Sequence, residues 1–103
     1  MASIPKLLMD EFYAMEREAL AEGNYDRSTA FSSCESMVNN FLHGREPRIT
    51  LSFCRKIFLE NSLNESFEAD TRKAYEEAVM VVDLFAEQYG LTLISNPYAE
   101  AGL

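Results

Sequence analysis

The chain has 103 residues, 48% of them apolar, including seven Phe and five Tyr, and carries a net charge of −8 with a pI of about 4.5. That length suits one domain with one core, burying about 60–65% of its unfolded surface without metals or disulfides. The apolar fraction excludes a disordered body, and no apolar run approaches the roughly 20 residues a membrane-spanning helix needs.

The start of the chain, MASIPKLLMDEF, meets the charge pair Asp10 and Glu11 before a signal-peptide hydrophobic region can develop, so a cytoplasmic protein with no membrane partner is expected. Ile4, Leu8, Phe12, Met15 and Ala19 then recur at helical spacing. Ser3 suits the N-cap, Pro5 the first turn and Gly23 the C-terminal stop, which predicts a first helix over about 4–22.

A second helix is expected from about Asp26 to His43, with Phe31, Cys34, Val38, Phe41 and Leu42 inward, Ser28, Ser32 and Glu35 outward, and Gly44 as terminator. The third segment is ambiguous. RITLSF alternates like a half-buried strand, whereas LSFCRKIFLEN sets Leu51, Cys54, Ile57 and Phe58 on one helical face. A helix over about 50–61 with Thr50 as cap is the favoured reading. The alternative is an α+β domain in which 48–53 pairs with LTLIS at 91–95 as a short two-stranded sheet.

The fourth helix, about 65–89, has the strongest pattern: Phe67, Ala74, Tyr75, Ala78, Val81, Val82, Phe85 and Tyr89 face inward, and Gly90 closes it. The expected fold is therefore an all-α bundle of about four helices with the long C-terminal helix at its centre. Residues 1–94 form the single domain and 95–103 a loosely held tail.

Within that helix the stretch AVMVVDLFA, residues 78–86, holds one carboxylate, Asp83, among eight apolar residues. At 100° per residue Asp83 falls with Arg72, Glu76, Met80 and Glu87 on the outward side, flanked by Val79, Leu84 and Ala86. A helix apolar around so much of its circumference either sits deep in its bundle or buries a second side against another chain, which raises the expectation of a two-fold homodimer.

Charge is unevenly placed. Residues 4–22 and 65–89 account for the whole acidic excess, whereas 43–56 carry Arg45, Arg48, Arg55 and Lys56 against Glu46 alone. Those four cations form a possible basic contact patch. A helix-turn-helix drawn across the HGREPRIT connection would use them on phosphate, but a chain with this acidic balance repels the duplex it must approach, and direct nucleic-acid binding is not expected. Their simpler role is pairing with the acidic first and fourth helices.

Catalytic constellations are sparse. All-α nucleotide pyrophosphohydrolases use a Glu-x-x-Glu pair followed by a Glu-x-x-Asp pair; ESFE at 65–68 supplies the first, but Met80 stands where the second needs an acid three before Asp83. His43 is the single histidine, placed at a helix end where a positive charge suits the dipole. Cys34 and Cys54 lie in apolar patterns and read as buried reduced thiols. No glycine-rich phosphate loop occurs, and neither a metal nor another cofactor is expected.

What remains is a non-enzymatic acidic protein-binding module, an inhibitor or adaptor, with virus-encoded inhibitors of nucleic-acid-binding host defence enzymes as one class of such composition. A divalent-cation-dependent hydrolase is the alternative. The expected partner is a protein with a basic surface. The expected contact residues are Glu76, Met80, Asp83, Leu84 and Glu87 of the fourth helix, joined by Glu11, Glu18 and Glu22 of the first.

Overall fold

The computed structural model describes residues 3–41 and 46–100, with backbone alone at 99 and 100. Those residues form four main helices, α1 (Ile4–Ala21), α2 (Tyr25–Asn40), α3 (Pro47–Ser62) and α4 (Ala69–Gln88), followed by a single turn, α5 (Pro97–Glu100). The fold is an all-helical bundle. No strand occurs among the described residues: 48–53 lie inside α3, and 91–94 run without a partner strand.

Local chemistry sets the ends. The Ser3 hydroxyl accepts the Lys6 amide and Pro5 occupies the first turn of α1, as the sequence predicts. Gly23 then turns the chain at φ 77°, with Asn24 N–H donating to the Ala19 carbonyl, and Gly90 ends α4 at φ 66°, with Leu91 N–H donating to Ala86. Both are left-handed stops of the kind glycine adopts without penalty.

Four boundaries differ from expectation. Asn24, whose side chain accepts the Arg27 amide, caps α2, so that helix starts at Tyr25 instead of Asp26. It ends at Asn40; Leu42, His43, Gly44 and Arg45 lie outside the described residues. α3 begins at Pro47, which is preorganised for the first helical position, so Thr50 is no cap. It is fully buried inside the helix, and its hydroxyl donates to the Phe41 carbonyl at 3.0 Å. α4 starts at Ala69 instead of 65 because the Asn64 side chain accepts both the Ser66 amide and the Ser66 hydroxyl, and that local turn competes with the helix.

α1 and α2 form one antiparallel hairpin and α3 and α4 the other; α4 packs on α2 and α3, and touches α1 at fewer points. Phe12 lies where the hairpins meet, stacked on Phe31 with centroids 6.4 Å apart and edge-on to Phe58 at 5.5 Å. All three are fully buried, so truncating any one removes about 3–5 kcal/mol. Ser28, assigned to the outward face of α2 by pattern, is also buried.

Of the stretch expected as a loosely held tail, residues 95–98 lie against α3. Ile94 N–H donates to Ser52 Oγ at 3.0 Å, Pro97 is buried, and the Tyr98 ring stands edge-on to Phe53 at 4.9 Å. These contacts drape the chain over α3 and explain why Phe53 is completely enclosed.

Candidate functional site

The register of the α3–α4 hairpin places the site. Arg55 meets Asp83, while Asn61, six residues further on, lies at the hydroxyl of Tyr75, eight residues earlier, so the helices run antiparallel with residues of nearly constant index sum facing each other. Ala74, Tyr75, Ala78, Val79, Val82 and Ala86 turn into the bundle. Val79 and Ala86, expected to flank the polar strip, are thus core residues, because α4 packs on both α2 and α3.

The opposite side is open. Met80 is 60% and Leu84 62% exposed, and with Asp83 and Glu87 they line a shallow depression of about 240 Å³. Glu76 lies one turn before Met80 and is also exposed. The five α4 residues anticipated from sequence therefore share one face. Large apolar side chains left this bare beside carboxylates mark a surface able to bury area against another molecule.

Asp83 is not a simple solvated acid. Its two carboxylate oxygens accept Arg55 Nε at 2.7 Å and Nη2 at 3.3 Å, and this hydrogen bonding raises the Arg55 guanidinium above its ordinary value. Lys56 pairs with Glu60 one turn along α3 at 3.5 Å. Two of the four cations expected to form a separate basic patch are thus engaged, one by Asp83 of α4 and one by Glu60 within α3. Arg48 is half-buried, and Arg45 lies outside the described residues.

Glu11, Glu18 and Glu22 of α1 are exposed. Glu22 gathers with Asn24, Asp26 and Asp70 around an open depression at the α1–α2 turn. Asp70 is in the first turn of α4, and at 1.5 Å per residue it stands about 26 Å along the helix from Glu87. α1 packs mainly on α2 and meets α4 at fewer points.

Sequence reasoning missed Leu59 and Leu63 of the α3 end, 41% and 71% exposed. Leu59 lies one turn beyond Arg55, and Met80 one turn before Asp83; in an antiparallel pair those steps go the same way, so both leucines continue the apolar face across the ion pair. The available signal was that both leucines fall outside the Leu51, Cys54 and Phe58 stripe.

A nucleophile is not offered by either cysteine. Both are fully buried and free; burial pushes the Cys54 thiol up to about 12, and burial with the neighbouring Cys54 pushes Cys34 up as well. Among the described residues no three His, Cys, Asp or Glu side chains gather in a way that would hold a metal ion, and no helix is long and apolar enough to cross a membrane. His43 is outside the described residues.

No family model, curated protein or solved structure matches the chain. Its function must be read from its own residues.

Proposed function

We propose that the protein is a non-enzymatic binding module, an inhibitor or adaptor, that holds a protein partner with a basic surface on the outer face of α4. The observation that carries this reading is the exposure of Met80 and Leu84 side by side between Glu76 and Glu87. The apolar pair supplies area to desolvate, and the glutamates supply long-range attraction for cations. Among the described residues neither Glu76 nor Glu87 has an ion-pair partner within the fold. Asp83, engaged by Arg55, orients the face more than it charges it.

Affinity capture from the source cell tests the reading, with the parent chain and a Glu76→Lys, Glu87→Lys variant as parallel baits. The expected result is one or a few basic proteins retained by the parent and lost from the variant. Identical retention by both baits contradicts it. Self-association as a two-fold dimer through the same face is the second reading, favoured by the same exposed Met80 and Leu84, and light scattering after size exclusion distinguishes a dimer from an 11.7 kDa monomer.

A further inference from the structure

We infer that the docking surface spans both helices of the α3–α4 hairpin and that its occupant is a single amphipathic helix with basic flanks. This rests on the binding function proposed above and specifies the form of the partner. The apolar members are Leu63 and Leu59 on α3 and Met80 and Leu84 on α4, four of the large apolar side chains that the bundle leaves exposed. The antiparallel register carries them past the Arg55–Asp83 pair as one band.

A second shallow depression, about 220 Å³, lies on the α3 side, bordered by Ser52, Arg55, Lys56, Leu59 and Glu60 and by Ile94 and Ser95 of the passing chain. Arg55 borders this depression and Asp83 borders the one on α4, so the ion pair is the ridge between two hollows. Each hollow has room for one or two apolar side chains, and a helix presents such side chains on one stripe at three- and four-residue spacing. From Glu76 to Glu87 the face runs about 16 Å, three turns of a partner helix.

Charge selects the occupant. Arg55 and Lys56, the two cations that border the hollows, are engaged by Asp83 and Glu60, while Glu76 and Glu87 on the α4 side have no such partner among the described residues. Lysine or arginine beside an apolar stripe answers those two acids. A second copy of this chain answers them less well, because a two-fold axis midway along the strip sets Glu76 of one copy against Glu87 of the other, twice. Adding an extended strand is not open to this surface, since the described residues offer no strand edge.

The test titrates the isotopically labelled full chain with three synthetic peptides of about 18 residues, long enough to hold helix when bound. One is a leucine–lysine amphipathic helix, one has the same composition scrambled to break the stripe, and one replaces lysine by glutamate. The expected result is binding of the first at least about tenfold tighter than of either control, with amide shifts at Leu59, Leu63, Met80 and Leu84. Leu59→Ser and Leu63→Ser should each weaken it at least about fivefold while leaving the helical spectrum unchanged, since both side chains are exposed. Shifts confined to α4, with both serine variants binding like the parent, overturn the two-helix surface and leave the α4 reading standing. Equal binding of the scrambled peptide overturns the helical occupant. Failure of all basic peptides to bind overturns the amphipathic-helix occupant, whereas the binding function falls only if both baits retain the same proteins; a dimer that protects Leu59 and Met80 overturns that occupant in favour of a second copy.

Discussion

Arg55 on α3 grips Asp83 on α4 at two points, with Nε 2.7 Å from Oδ1 and Nη2 3.3 Å from Oδ2, although both side chains remain well exposed, at 38% and 47%. Water competes for both groups, so the pair locks the hairpin's register more than it stabilises the fold. A double-mutant cycle with Arg55→Ala and Asp83→Ala should give a coupling of about 0.5–1 kcal/mol in urea unfolding. A coupling above about 3 kcal/mol would mean the pair is shielded from solvent and the neighbouring apolar face is closed.

Ser52 joins two parts of the chain. Its hydroxyl donates to the Arg48 carbonyl at 2.7 Å and accepts the Ile94 amide at 3.0 Å. Ser52→Ala leaves that amide without its acceptor, which should cost about 1–2 kcal/mol and speed hydrogen exchange at Ile94 far more than at the amides of α2. Unchanged exchange at Ile94 would show that the C-terminal segment is held by Pro97 and Tyr98 alone.

Glu35 supplies a pH dependence. Partial burial raises its carboxyl above the ordinary value; Glu16 and Asp10 add to the shift, and Lys6 opposes it. A carboxyl that holds its proton more tightly when folded gives its best stability below the unfolded value and loses it as pH rises through the folded one. Glu35→Gln should therefore raise the melting temperature at pH 7, with the gain shrinking as pH falls to about 4. A gain independent of pH would assign the effect to packing.

The buried thiols act at the other end of the scale. With Cys54 raised to about 12 and Cys34 raised as well, the folded protein keeps both protons above pH 9, where an unfolded chain releases them. Stability present below about pH 9 should then fall as pH rises, by up to about 1.4 kcal/mol per pH unit for each thiol. Replacing both cysteines by alanine should flatten that decline. A decline of the same steepness in the double variant would place its origin elsewhere.

The sequence reveals helices best where backbone rules act locally. Ser3, Pro5, Gly23 and Gly90 mark ends that are found at or within a residue of where they point. It misleads where a polar residue is buried and satisfied by a nearby carbonyl. Thr50 and Ser52 give RITLSF its strand-like alternation, yet both lie inside α3, their hydroxyls donating to the Phe41 and Arg48 carbonyls. The α4 face was legible because Met80, Asp83, Leu84 and Glu87 follow one helical period. That Asp83 has Arg55 as its partner, 28 residues away, has no local signature; nor does the continuation of the face through Leu59 and Leu63, which depends on how two helices are registered.

Association kinetics with the captured partner test the central claim most directly. If the outer face of α4 docks a basic protein, the association rate of the parent should fall steeply between about 50 and 300 mM salt. At low salt, Glu76→Lys with Glu87→Lys should slow association at least about tenfold without altering the helical spectrum. Asp83 is left in place so that its pair with Arg55 is not disturbed. An association rate for this variant equal to the parent's, with the same salt dependence, would contradict the account and leave the acids of α4 as a solvated face.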